Sequence, residues 1–411
     1  MGKRKGPLSG IRLLDLTQLY PGPLATMMLA DMGADVVRLE HPSRPDLLHL
    51  LPPFVGKQSA AYLSLNRSKR SLALDTGKKE GQQVFFDLVR TADLVVEQFR
   101  PGVLDKIGIG YEQANLFNPR IIYASITGFG QDGPYRKKAG HDINYMALTG
   151  LLSQVKKGQE MVLPGFQTAD VAGGAYMSVI ACMAALWHRE KTGKGQKIDV
   201  SMMDGILPLL TLQLAQYWGS RGNEEFINFL DGSFPFYGVY ECTDGTSVSL
   251  GALEPKFWAG FCHMANKPEW LPLQFPTGEE IRKVREEVAS LFKAKSRDEW
   301  LELAEVHDVC LSSVHEMEDL ERDPQLRARQ MIIETEHENE LKLKGVGIPI
   351  KFSESKPDQP EPAPAVGQDS IEILKEAGYS EERIEELLGK GIVFAAMKHE
   401  TLWRNEDGPE S

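Results

Sequence analysis

Short, apolar, β-branched runs alternate with amphipathic stretches through the first half of the chain. The apolar runs predict strands, and the helical spacing of apolar residues between them predicts helices. Predicted strands cover 11–16, 34–39, 93–97, 121–126 and 197–200, and predicted helices cover about 23–32, 82–90, 111–117, 170–187 and 207–217. Alternation of this kind is typical of βαβ units, so we predict an α/β fold with a parallel sheet and helices on both faces.

The pattern changes after residue 225. Two runs over 236–241 and 247–253 flank Asp244-Gly245, which predicts a β-hairpin. Charged amphipathic helices follow, and Ser296 with Glu299 forms a capping-box sequence. We therefore predict a large α/β domain over 1–225 and a small α+β domain over 226–330. Segment 331–411 is predicted to hold a Pro-rich linker at 356–365, helices over 371–388 that return to the large domain, and a frayed tail after 402.

Composition narrows the choice of partners and compartment. The 411 residues carry a formal net charge of -12, which disfavours nucleic acid and anionic membranes as partners. The four cysteines are scattered without C-x-x-C spacing, so we expect no disulfides and a reducing, cytoplasmic location. The basic N-terminus lacks the apolar region of a signal peptide. Charges or glycines interrupt the apolar stretches before about 18 residues, so no membrane span is expected.

One glycine-rich segment resembles a nucleotide-binding loop. Gly128-Phe129-Gly130-Gln131-Asp132-Gly133 has the G-x-G-x-x-G spacing and follows a predicted strand. Pro134 and three basic residues come soon afterwards, and no helix begins there whose N-terminus could hold a pyrophosphate. We interpret the segment as a loop at a strand end and expect no NAD.

Two segments hold candidate proton-transfer groups. Within Gly140-His141-Asp142, the carboxylate of Asp142 caps a helix over 144–152 with His141 an incidental neighbour, or His141 exchanges a proton near neutral pH. Free N–H groups of that helix start could then hold an enolate oxygen. Asp170 is either the N-cap of the following helix or a base or nucleophile. The pair Gly173-Gly174 indicates a close approach to this backbone.

Charged residues at predicted strand ends admit two interpretations. Arg38, the basic segment 66–70 and Phe99-Arg100 are ordinary surface residues, or they form a phosphate site beside an aromatic ring. Glu241, which ends a predicted strand, is by default an exposed carboxylate. The histidines show no ligand spacing, so we expect no metal site.

Taken together, these segments are similar to the class III CoA-transferase family, in particular its α-methylacyl-CoA racemase branch. The resemblance covers nearly the whole chain and rests on segments 6–16, 21–23, 29–38, 66–75, 99–103 and 192–196. It implies a Rossmann-like large domain, a small domain and a homodimer of interlocked chains. The implied substrate is an acyl-CoA, and no metal or organic cofactor is required. Arg38, Lys69, Phe99 and Lys106 fall where members of the family contact CoA, and we add Arg100 beside Phe99.

The resemblance implies one of two reactions. In the racemase branch, the positions matching His141 and Asp170 lie on opposite faces of the thioester α-carbon and exchange its proton through an enolate. Glu241 matches a residue that orients the histidine, the backbone N–H beside His141 would hold the enolate oxygen, and Asp142 is a further catalytic candidate. In the transferase branch, the position matching Asp170 is a nucleophile that passes through a mixed anhydride and an enzyme–CoA thioester.

Segment 56–66 resembles the transferases, whereas His141 and Glu241 favour the racemases. We therefore predict racemisation of a 2-methyl-branched acyl-CoA by 1,1-proton transfer. CoA transfer from a thioester to a carboxylic acid, with Asp170 as nucleophile, is the alternative. A third possibility is an acyl-CoA-binding protein without catalytic activity.

Overall fold

A computed structural model describes residues 4–157, 160–220, 228–337 and 341–396. The strands, in chain order, are β1 (Arg12–Leu16), β2 (Asp35–Glu40), β3 (Phe54–Val55), β4 (Gln58–Ser59), β5 (Arg70–Leu74), β6 (Leu94–Glu97), β7 (Ile122–Thr127), β8 (Lys156–Lys157), β9 (Glu160–Met161), β10 (Gln196–Ser201), β11 (Tyr237–Glu241), β12 (Ser247–Gly251), β13 (Leu311–Ser313), β14 (Ile332–His337), β15 (Leu341–Val346) and β16 (Val393–Phe394).

The α-helices are α1 (Pro21–Asp31), α2 (Ala60–Leu65), α3 (Lys79–Val89), α4 (Val103–Ile107), α5 (Tyr111–Phe117), α6 (Asp142–Leu148), α7 (Met177–Thr192), α8 (Met202–Ile206), α9 (Thr211–Gly219), α10 (Pro255–Met264), α11 (Glu279–Phe292), α12 (Arg297–Glu305), α13 (Pro324–Ala328), α14 (Ser370–Glu376) and α15 (Glu381–Gly389). A π-helical segment, Ala169–Tyr176, leads directly into α7. Contacts divide the chain into a large unit, 1–211 with 330–411, and a small unit, 212–329. The predicted domain limits at 225 and 330 stay predictions.

The large unit is built on a seven-stranded sheet with the order β10-β7-β6-β1-β2-β5-β16. Six strands are parallel, and β16 pairs antiparallel with β5. Counted along the chain, the parallel strands have the order 3-2-1-4-5-6 of dinucleotide-binding sheets. The order reverses between β1 and β6, so the loops that follow these two strands flank the crevice where such sheets bind ligands. This confirms the predicted α/β class with a mainly parallel sheet.

Apolar side chains cover both faces of this sheet, as a parallel sheet flanked by helices requires. One cluster contains Phe85 of α3 and, from the C-terminal helices, Leu374 and Leu387. The other contains Leu29 of α1 and Cys182 of α7. Helices α14 and α15 therefore pack in the core of the large unit.

The small unit contains the predicted hairpin. Strands β11 and β12 pair antiparallel, and Gly245 takes a φ of +78° in the turn between them, where a side chain would be strained. Strand β13 extends the sheet, and Trp258 and Phe261 lie in its apolar core. The predicted capping box is present, since Ser296 Oγ accepts from the N–H of Glu299 at 3.3 Å. The frayed tail predicted after 402 lies outside the described residues.

One helical stretch among the described residues bears on the expectation of no membrane span. Ala169–Thr192 is long and apolar enough to cross a membrane by length and composition alone. Half of it is buried inside the molecule, where Val179, Cys182 and Ala185 join the core. This is weak evidence for a span, because a core helix of a globular protein passes the same test.

Candidate active site

Asp142 brings the two candidate segments together. Its Oδ1 accepts hydrogen bonds from the backbone N–H groups of Ala169, at 2.6 Å, and Asp170, at 3.0 Å. The expected caps are therefore wrong in detail. Helix α6 begins at Asp142 with His141 as its N-cap, the carboxylate of Asp142 caps the π-helical segment, and Asp170 lies inside that segment's first turn. The fold thus joins the residue that follows His141 to the backbone of Asp170, although the two segments are distant in sequence.

The electrostatic environment of Asp170 suits proton transfer. Burial and, less strongly, the negative charge of Asp142 raise the pKa of its carboxyl to about 6, and His141 acts in the opposite direction. A carboxyl that titrates near neutral pH can both take and give a proton. His141 is therefore near enough for its charge to act on the carboxyl of Asp170.

The glycines after Asp170 serve contacts within the protein. A Cβ on Gly173 would lie 2.2 Å from the carbonyl oxygen of Met202, and one on Gly205 would lie 2.6 Å from the carbonyl oxygen of Gly173. The close approach predicted from Gly173-Gly174 is therefore made by α8. A π-helical turn is uncommon and often marks a functional site. The packing of α8 fixes the segment that carries Asp170.

Tyrosines surround the carboxylates. Burial, followed by the charges of Asp170 and Asp142, raises the pKa of Tyr145 to about 12, and Arg100 acts in the opposite direction. Burial together with Tyr176 and Asp170 raises the pKa of Tyr20. Arg100, a predicted CoA contact, is therefore close enough to act on the site. The sequence pattern did not single out Tyr145, which lies in α6 four residues after the N-cap His141.

Two predicted CoA contacts are enclosed by carboxylates. The guanidinium of Arg38 is fully buried and contacts Asp46 at 2.8 Å and Glu40 at 3.2 Å. Lys69 Nζ donates to Asp15 at 3.0 Å and to Asn66 Oδ1 at 2.9 Å. In this conformation neither cation faces solvent, which departs from the expected surface phosphate site. Sequence patterns could not predict this network because its carboxylates come from separate segments of the chain.

The remaining predicted site residues lie apart from these contacts. Phe99 is half-buried against the core, with its N–H donated to Glu97 Oε2 at 2.7 Å, and Lys106 is exposed on α4. Glu241 ends β11 in the small unit, where its carboxylate lies 3.2 Å from Lys293 Nζ. Their roles toward CoA and toward His141 stay predictions.

The glycine-rich loop 128–133 follows strand β7. No helix begins within the glycine-rich loop, and 14 residues separate the end of β7 at Thr127 from the start of α6 at Asp142. Among the ranges that the structure describes, no group of three His, Cys, Asp or Glu side chains could hold a metal ion.

Known proteins resemble this chain over nearly its whole length. The profile of CoA-transferase family III matches residues 8–370. The chain is 34% identical to human alpha-methylacyl-CoA racemase over 94% of its own length and 97% of that protein. It is 33% identical to human succinyl-CoA:glutarate CoA-transferase over 96% of its length and 91% of that protein. A CAIB/BAIF family protein from Brucella suis has a similar crystal structure, with a TM-score of 0.79, 29% identity and coverage of 91% and 100% of the two chains.

Proposed function

The chain belongs to CoA-transferase family III, and from this premise we propose that it racemises a 2-methyl-branched acyl-CoA through an enolate. The observation that carries the proposal is the hydrogen bond from the N–H of Asp170 to the carboxylate of Asp142, the residue that follows His141. One of these two groups takes the α-proton, and the electrons of the broken C–H bond move to the thioester carbonyl. The other group returns a proton to the opposite face, so the substrate is regenerated with inverted configuration.

The surroundings of the pair support this assignment. The carboxyl of Asp170, whose pKa is raised to about 6, can act as base in one direction and as acid in the other. The N–H of His141 is donated to Asn144 Oδ1 at 2.9 Å, so the N–H of Asp142 is the group that we assign to the enolate oxygen. Glu241 would orient His141, as a carboxylate orients an imidazole.

CoA transfer is the second candidate, because one of the relatives above is a CoA-transferase of nearly equal identity. In that reaction the carboxylate of Asp170 attacks the acyl-CoA, CoA leaves as thiolate, and an aspartyl anhydride forms. The thiolate then attacks the Asp170 carbonyl of the anhydride, which forms an enzyme–CoA thioester and releases the free acid. An incoming carboxylate takes CoA through the same two steps in reverse.

We further propose that the protein is a cytoplasmic homodimer of interlocked chains. Tyr176, Ile180, Met183 and Trp187 form an exposed apolar stripe on the helical stretch that carries Asp170, which a second copy could cover. The four cysteines are free thiols, as a reducing compartment favours. Arg100, Phe99 and Lys106 would contact CoA, and Arg38 and Lys69 would do so only if their carboxylate network opened.

One experiment separates the candidates. The protein is incubated with (S)-2-methylacyl-CoA in deuterated water, with and without a free carboxylic acid. Deuterium at the α-carbon without acid, lost in His141→Ala and Asp170→Asn, supports racemisation. CoA appearing on the acid, with inactivation by hydroxylamine, supports transfer. Binding of acyl-CoA without either reaction would leave only a binding protein and would overturn both proposals.

A further inference from the structure

The ring of Tyr145 is enclosed by the two glycines on either side of the loop that leads to His141. A Cβ on Gly128 would lie 2.3 Å from Tyr145 Oη, and one on Gly140 would lie 2.9 Å from its Cε1. The ring of Phe129 packs edge-on, with centroids 5.1 Å apart and an interplanar angle of 84°. Only 4% of Tyr145 is exposed. The ring therefore has little freedom to move, and side chains larger than hydrogen at these glycines would displace it.

The hydroxyl of Tyr145 holds the peptide bond before His141. Its Oη donates to the carbonyl oxygen of Gly140 at 2.6 Å. On the other side of the same peptide bond, the N–H of His141 donates to Asn144 Oδ1 at 2.9 Å. Both polar groups of the Gly140–His141 peptide are thus engaged by side chains of α6. Neither contact takes part in the proton transfers proposed above.

We propose that Tyr145 is a positioning residue that fixes His141 relative to Asp170 by holding the Gly140 carbonyl. This rests on the proposed function, in which the histidine must lie at the substrate's α-carbon. Helix α6 carries Tyr145 and also the Asp142 carboxylate that binds the N–H of Asp170. One rigid turn therefore sets the positions of both proton-transfer groups. The loss of one anchor would let the loop that carries His141 shift while Asp170 stays in place.

The test compares Tyr145→Phe with Tyr135→Phe. Tyr135 packs on the same Phe129 ring, with centroids 5.7 Å apart, and no hydrogen bond of the described residues uses its hydroxyl. Both variants lose one phenolic oxygen from one aromatic cluster. We expect the α-deuteration rate, kcat, to fall about 10- to 100-fold in Tyr145→Phe with KM nearly unchanged, because small misplacements of reacting groups have effects of this size. Tyr135→Phe is expected to match the wild type.

A second variant and a substrate-free readout complete the test. Asn144→Ala releases the other side of the same peptide bond, and we expect a similar loss of kcat. The imidazole Cε1–H resonance of His141, assigned by its disappearance in His141→Ala, is expected to move or broaden in Tyr145→Phe and to stay in Tyr135→Phe. A wild-type rate or an unmoved resonance in Tyr145→Phe would overturn the positioning role. If the wild type itself shows no turnover, the proposed function fails, and the resonance alone decides this proposal.

Discussion

At the scale of single residues, the site depends on how neighbouring charges tune one carboxyl. Asp170 is partly withdrawn from water, and Asp142, whose negative charge acts on it, is the same group that caps its backbone. Desolvation and a like charge both favour the protonated form. The charge of Asp142 thus has two consequences, since it holds the backbone of Asp170 and makes its carboxylate more basic.

The raised pKa of Asp170 predicts how the rate of α-deuteration depends on pH. For the enantiomer whose α-proton Asp170 removes, the carboxyl must be ionised, so the deuteration rate should rise with pH and pass the midpoint of this rise at about 6. Asp142→Asn keeps an oxygen for the two backbone N–H groups but removes the negative charge. Its rise should therefore move to lower pH. Rate–pH profiles of both proteins in buffers of constant ionic strength check this, and identical profiles would contradict the assigned role of Asp142.

At the scale of secondary-structure elements, two short contacts hold the π-helical segment. The first is the cap from Asp142, and the second is the backbone packing of α8 at Gly173 and Gly205. Neither contact involves a bulky side chain. Each one can therefore be disturbed by a single substitution.

Removing the cap should cost stability. Asp142→Ala leaves the N–H groups of Ala169 and Asp170 without their acceptor, and losing a helix cap costs about 1 kcal/mol. Asp142→Asn retains an acceptor and should lose less. Urea unfolding of the two variants measures the difference in the free energy of unfolding. Equal stability of Asp142→Ala and the wild type would show that the cap contributes nothing.

Replacing Gly173 by alanine, which crowds α8, should lower the stability of the protein more than replacing a glycine that has free space around it. A Cβ at Gly173 would lie 2.2 Å from the Met202 carbonyl oxygen, so Gly173→Ala must push α8 away, and overpacking of this kind costs roughly 1–3 kcal/mol. Gly219→Ala is the matched control, because no other atom lies within 4 Å of that added Cβ. Thermal unfolding should show a lower Tm for Gly173→Ala alone. A normal Tm would mean that α8 yields without cost.

At the scale of the whole molecule, the sheet gathers charges from distant segments beneath the strand ends. Arg38 lies on β2, Lys69 comes just before β5, and Asp15 lies on β1. These three side chains and Glu40 and Asp46 form one buried network. The presence of more carboxylates than cations in this group makes each cation important for stability.

Arg38→Met should therefore lower the stability of the fold, whereas Arg100→Met should lower the affinity for CoA. Arg38→Met leaves buried carboxylates uncompensated, and breaking a buried pair in this way costs about 3–5 kcal/mol. Arg100→Met alters an exposed side chain, so stability should stay and the affinity for CoA should fall about tenfold or more, as expected for loss of a charged hydrogen bond. Thermal unfolding and CoA titration calorimetry of both variants check this. Weaker CoA binding by a stably folded Arg38→Met would restore Arg38 as a direct contact.

The sequence determined the architecture because strands and helices depend on local patterns. The periodicity predicted helix α5 at its observed limits and five of the sheet strands within one or two residues. It did not predict β5, which begins with Arg70 and Ser71 and has only three apolar residues, or the two-residue strand β16. The sequence also showed His141 and Asp170 as candidate proton-transfer groups. The family resemblance implied proton transfer at the same two positions.

Only the tertiary structure decided which groups meet. Whether Asp142 caps its own helix or another depends on a contact across 27 residues, and local sequence carries no information about such a contact. Whether Arg38 and Lys69 face a ligand or buried carboxylates depends on which strands lie side by side. Local sequence patterns determine where helices and strands form. Side-chain partners and pKa values arise from packing between segments that are far apart in the chain.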